Sequence, residues 1–115
     1  MDNLREEVLC RLDDMVDDTA RGFSVDNGGQ VLAVIIVRQG AVVYGYRNHC
    51  PHTGINLDWV PDQFFDGSGE YLQCSVHGAL FRLEDGYCIR GPCAGKSLEP
   101  WPVSIRGEYI VCAAH

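Results

Sequence analysis

Val31-Leu-Ala-Val-Ile-Ile-Val37, then Gln39-Gly40, then Ala41-Val-Val-Tyr-Gly-Tyr46: two runs of β-branched and aromatic residues are separated by a short turn. Such side chains fit a pleated, half-buried surface, and a short glycine-bearing connection suits a tight reversal. The spacing predicts a β-hairpin, and the same punctuation continues on both sides of it. Asn27-Gly28-Gly29 precedes the first run. Downstream, Gly67-Ser-Gly69 leads into Glu70-Tyr-Leu-Gln73, and Asp85-Gly86 reads as a two-residue type I′ turn between strands at 79–83 and 87–90. Arg106-Gly107 separates 103–105 from 108–112. Several short strands at this spacing predict an all-β domain, a barrel or a sandwich.

One stretch resists that scheme. Leu4, Val8, Leu9, Leu12, Met15 and Val16 recur at helical intervals, and Asn3 with Glu6 offers a capping box. Periodicity alone predicts a helix there. Against it stand Asp13, Asp14, Asp17 and Asp18, poor helix formers that would crowd a C-terminal half where the macrodipole disfavours negative charge.

The 115 residues suit one domain, residues 1–115, with a modest core, and 46% hydrophobic against 22% charged residues predicts a folded chain. A formal charge of −7 argues against nucleic acid, whose phosphates would be repelled; a basic protein surface is the better partner. No apolar run approaches the length of a membrane span, and the first residues show no basic region followed by an apolar stretch. The expectation is a cytoplasmic protein without membrane contact. Six cysteines could suggest a secreted disulfide scaffold, but no export signal accompanies them, so reduced thiols or metal ligation are expected.

Two short arms carry the chemistry: Cys50-Pro-His52 and Cys74-Ser-Val-His77, trailed by Gly54 and Gly78. Two cysteines and two histidines would also complete a tetrahedral zinc site. The common zinc pattern, however, groups like with like, whereas here each arm mixes the two. That suits a two-iron site in which Cys50 and Cys74 meet at one iron and His52 and His77 at the other. With two thiolates an oxidised [2Fe–2S] core is neutral, so adding an electron costs less than it would on the dianion that four thiolates make.

On these arms, and on Gly91-Pro92 followed by Leu98 and Pro100-Trp-Pro102-Val103, the chain resembles a Rieske [2Fe–2S] ferredoxin, most densely over residues 48–103. The resemblance implies three stacked antiparallel sheets, with one cluster per chain held at the tips of two hairpin loops, here about 48–56 and 74–80. A proline loop at about 90–98 would cover it. It also implies a strand around residues 8–12 rather than the helix, and that is the reading adopted. The implied ligands are Cys50, His52, Cys74 and His77, with the histidine edges reaching solvent.

The departures from the family are specific. High-potential members carry an extra cysteine in each arm, joined as a disulfide, where this chain has Ile55 and Val76. They also carry a serine where Ala79 stands, hydrogen-bonding a cluster sulfide. Fewer donors to the cluster stabilise the reduced state less, so the expected potential lies near the bottom of the Rieske range, about −150 mV. Between His52 and Cys74 lie 21 residues, a few more than usual. The extra length contains Trp59, Val60, Phe64 and Phe65, either a satellite packing cluster or part of a docking edge.

His49 reads as an ordinary loop histidine beside a complete ligand set, and Cys10 and Cys112 as buried small hydrophobes. Cys88 and Cys93 flank the proline loop, where a disulfide would brace it although cytoplasmic conditions disfavour one. The N-terminal acidic residues form a solvated face that would help attract a basic partner. The function expected is a small electron carrier, not itself an enzyme and without a small-molecule substrate, shuttling electrons between a reductase and a terminal oxygenase or similar acceptor. The competing class is a non-redox module, either a zinc-stabilised binding domain or an accessory subunit like that of nitrite reductases.

Overall fold

Residues 5–27, 29–49, 64–65, 69–74, 78–91 and 95–114 are described by a computed structural model. They form nine strands: Arg5–Arg11 (β1), Thr19–Asn27 (β2), Gln30–Gln39 (β3), Val42–Arg47 (β4), Tyr71–Gln73 (β5), Leu80–Arg82 (β6), Cys88–Arg90 (β7), Val103–Arg106 (β8) and Tyr109–Ala114 (β9). Every pairing is antiparallel, and the strands divide into three three-stranded sheets, β1-β9-β8, β2-β3-β4 and β5-β6-β7. The all-β, three-sheet architecture implied by the sequence is therefore the one found.

The hairpin that opened the sequence reading is β3–β4, paired from Val34↔Arg47 to Gln39↔Val42. Its first strand explains the layering. Ile35 and Val37 pack with Leu72, Cys74, Phe81 and Leu98 of the β5-β6-β7 side, whereas Val34 and Ile36 pack with Ile110 and Cys112 of the β1-β9-β8 side. Because neighbouring side chains on a strand point to opposite faces, the sheet holding β3 is the middle layer between two cores. All four residues from Val34 to Val37 are fully buried. A strand covered on both faces reads as an unbroken apolar run, because neither face meets water.

Strand β2 is absent from the sequence reading, although it pairs β3 along all nine of its residues. Arg21, Ser24 and Asp26 face water, and Gly22 and Asp26 are weak strand formers, so its pattern was masked. At the N-terminal segment the strand reading holds and the helical periodicity is overturned. Strand β1 pairs β9 from Arg5↔Ala114 to Arg11↔Tyr109, with an irregularity between Val8 and Cys10. This bulge brings Leu9 and Cys10, consecutive in sequence, against one core, while Val8 is 58% exposed. An extra residue breaks the period of two and imitates helical spacing. Among the described residues only Leu12–Asp14 is helical, a single 3₁₀ turn in which the Asp14 carboxylate accepts from the Arg11 backbone N–H at 3.0 Å.

The Asp85-Gly86 turn also differs from its expected type. A type I′ turn needs positive φ at both central residues, yet only Gly86 has it, at +72°. Residues 83–86 instead form a four-residue loop. It is closed by Arg82 N–H donating to Tyr87 C=O at 3.0 Å and Gly86 N–H donating to Arg82 C=O at 2.9 Å.

Candidate metal centre

Of the four candidate ligands the described residues include Cys74; Cys50, His52 and His77 lie outside them, as do Ile55, Val76, Trp59, Val60 and Cys93. Cys74 directly follows β5 and is fully buried, in the core cluster that also holds Tyr46, Phe64, Ala79, Phe81 and Cys88. Its backbone closes the second arm from both sides. Cys74 N–H donates to Ala79 C=O at 3.0 Å, and Cys74 C=O accepts from Gly78 N–H at 2.8 Å. Gly78 takes φ +69°, a left-handed conformation that costs glycine little, so the chain reverses within the arm.

The proline loop begins hard against that arm. Gly91 has φ +103°, and a Cβ placed on it would stand 2.7 Å from Ala79 Cα. No side chain fits there without moving backbone. The sequence identified Gly91-Pro92 only as the start of a covering loop; its close approach to Ala79 depends on the β6–β7 register, which the sequence does not display. Between Leu80↔Arg90 and Phe81↔Cys88 that register shifts by one residue, and Ile89, at the irregularity, is exposed.

The first arm leaves from β4. Arg47 N–H donates to Glu99 C=O at 2.8 Å, and Asn48, buried at 6% exposure, donates its backbone N–H to Ala33 C=O at 2.9 Å. The chain is thus held on both sides up to His49, which is exposed. Tyr46, one turn of pleat earlier, ties the middle sheet to the third: its hydroxyl donates to Leu83 C=O at 2.6 Å. Burial, and then the Asp85 and Glu84 carboxylates, push the Tyr46 phenol well above its ordinary range, so it stays protonated and keeps donating.

Part of the long inter-arm segment belongs to the core. Phe64 is 1% exposed and its C=O accepts from Gln73 N–H at 2.7 Å, while Phe65 bridges Leu72. For these two rings the packing reading holds. The Cys88 thiol donates to Arg90 C=O at 3.2 Å, and Cys93, its candidate disulfide partner, lies outside the described residues. Burial pushes the thiols of Cys10 and Cys112 up, the latter partly offset by a hydrogen bond from the Trp101 side chain. Both hold their protons; Cys112 is buried as a small hydrophobe should be, whereas Cys10 is only partly buried. Among the described residues no group of three or more His, Cys, Asp and Glu side chains converges on a metal-sized site elsewhere.

Residues 6–114 match the profile of the Rieske [2Fe-2S] domain. The chain belongs to the Rieske [2Fe-2S] family. Among solved structures it is similar to the ferredoxin of carbazole 1,9a-dioxygenase from Nocardioides aromaticivorans IC177. The TM-score is 0.72 at 23% identity, over 96% of this chain and 98% of that one. It is similar, too, to a complex of reduced oxygenase and oxidized ferredoxin in carbazole 1,9a-dioxygenase, with TM-score 0.73 at 22% identity, over 96% and 94% of the chains. A terminal oxygenase of carbazole 1,9a-dioxygenase from Novosphingobium sp. KA1 matches with TM-score 0.72 at 18% identity, over 94% of this chain and 29% of that one. At these identities the likeness is one of fold. A curated relative, "Cholesterol 7-desaturase nvd" from Xenopus laevis, is 41% identical over 68 residues, 59% of this chain; the match spans 14% of that protein's length.

The cofactor of the Rieske family is a [2Fe–2S] cluster, and the described part of the site fits it. A cysteine wholly out of water, at the mouth of a hairpin whose backbone folds back over it, suits the shielded iron of such a centre. The arm beyond it carries the mixed donors that the two-iron arrangement requires. Among the described residues no helix is long and apolar enough to cross a membrane.

Proposed function

We propose that the chain is a single-domain electron carrier that accepts one electron at a time from a reductase and delivers it to a terminal oxygenase or comparable acceptor. The observation that carries this reading is the full burial of Cys74 at the closed mouth of the second arm, within a Rieske domain. A bound [2Fe–2S] cluster supplies one-electron chemistry there. Cys50 and Cys74 would hold one iron of that cluster, and His52 and His77 would hold the other. Gly91 packs directly against Ala79, where the second arm ends.

Two further observations support the reading. One similar structure is a complex of reduced oxygenase and oxidized ferredoxin in carbazole 1,9a-dioxygenase, which supports an oxygenase as partner. The net charge of −7 supports a basic protein surface as the partner. No residue is assigned a catalytic role.

Metal and sulfide analysis of the purified protein tests the proposal, together with a low-temperature EPR spectrum after reduction. About two irons and two acid-labile sulfides per chain, with a rhombic signal from the reduced form, are expected. One zinc and no sulfide would establish the non-redox module instead.

A further inference from the structure

Three segments meet in an open cleft of about 340 Å³, lined by Val43, Tyr44, Gly45 and Tyr46 of β4, by Glu84 and Asp85 of the β6–β7 loop, and by Pro100, Trp101 and Val103. Its position in the fold is defined. The second arm occupies the β5–β6 loop, and Glu84 and Asp85 occupy the β6–β7 loop, so the two lie at opposite ends of β6, roughly 10 Å apart along a three-residue strand. The lining is largely apolar, with Val43 and Tyr44 half-buried and Tyr46 and Trp101 buried behind them, and the rim is charged. Glu84 and Asp85 bring two carboxylates to one guanidinium, Arg82, which pairs with Asp85 and stands 3.7 Å from Glu84. Glu84 remains 59% exposed in its side chain.

A carboxylate excess beside the partly exposed Tyr44 is the chemistry that receives a guanidinium or ammonium group, because ring quadrupole and anion attract the same cation. We propose that this cleft is a docking point for an arginine side chain, flanked by apolar residues, on a partner protein of the electron carrier. Two features favour a protein over a small organic cation. The cleft is open along one side, whereas small-molecule sites enclose most of their ligand's surface. The chain's charge of −7 also draws in a basic surface as a whole. A partner seated there leaves the tips of the arms uncovered, so the carrier can be held at one end while it exchanges electrons at the other.

The proposal names a partner of the electron carrier and rests on that reading, but its test reads binding alone. The isotope-labelled holoprotein is titrated with the pentapeptide acetyl-Gly-Ile-Arg-Ile-Gly-amide and followed by amide NMR shifts. Saturable shifts are expected at Tyr44, Tyr46, Glu84 and Asp85. They should weaken about tenfold when citrulline replaces the arginine and again in the Glu84→Arg protein. Absence of shifts at the cleft, equal binding of the citrulline peptide, or equal saturation by guanidinium chloride alone would each overturn it. Iron and sulfide are measured on the same samples, so a chain that binds the peptide but lacks a cluster refutes the carrier reading and not the cleft.

Discussion

Ala79 and Tyr46 each act through a single atom or its absence. Ala79 is fully buried beside the second arm and has no hydroxyl to offer a cluster sulfide, so the expected midpoint potential is about −150 mV; redox titration giving a value above zero would refute this. Ala79→Ser restores a donor. A hydrogen bond to a charged acceptor at the low end of its usual worth, ~1.4 kcal/mol, raises a one-electron potential by about 60 mV, and the same titration measures it. Tyr46→Phe removes the hydroxyl that satisfies Leu83 C=O, leaving a buried acceptor unpaired at a cost of about 1–3 kcal/mol in chemical denaturation near neutral pH. The pH dependence has a definite sign. Because the folded-state pKa of Tyr46 is raised, the native state keeps a proton that the unfolded chain loses near pH 10. Stability is therefore unaffected below about pH 10 and falls as pH rises beyond it. The Tyr46→Phe protein should show a shallower fall over that interval.

At the scale of elements, β3 serves two cores with adjacent residues. Ile35 faces the core that contains Cys74, and Ile36 faces the core of β1-β9-β8. Ile35→Ala and Ile36→Ala should each cost about 2–5 kcal/mol, the usual range for a buried isoleucine. Only the first should speed loss of the visible chromophore in the presence of an iron chelator. How far these elements could be read from sequence depended on whether local chemistry or partner strands set their pattern. Strands β3 and β4 announced themselves through β-branched runs and a turn glycine. Strand β2 did not, since its alternation is diluted by Gly22 and Asp26 and its place is fixed by pairing with β3. Strand β1 was hidden by a bulge, which shifts the phase of the apolar residues. At the candidate centre the proposed donor set rests on ligand types and spacing, which are local. The close packing of Gly91 on Ala79 was not legible in the sequence, because it arises from a register shift between β6 and β7.

For the molecule as a whole, charge sets the terms of encounter. Asp13, Asp14, Asp17 and Asp18 are exposed on the β1–β2 connection, which Arg38 fastens by donating to the Leu12 and Met15 carbonyls at 3.0 and 2.6 Å. With a net charge of −7, association with a basic partner should be steered. Stopped-flow electron transfer should slow by about tenfold or more between ~0.01 M and ~1 M salt, as the screening length falls from roughly 30 to 3 Å; an unchanged rate would show that the partner surface is not basic. The layered plan was legible only through family resemblance, since strand spacing alone is equally consistent with a barrel.

The placement of β3 between two cores has a consequence for time as well as for space. A backbone amide in the stretch Val34–Val37 has neighbouring strands on both sides and a core above and below, so no opening of one outer sheet can bring it to water. In deuterium oxide these four amides should be the last to exchange, at a rate set by opening of the entire domain. They form an internal clock against which the fraying of either outer sheet, with cluster oxidised or reduced, can be timed.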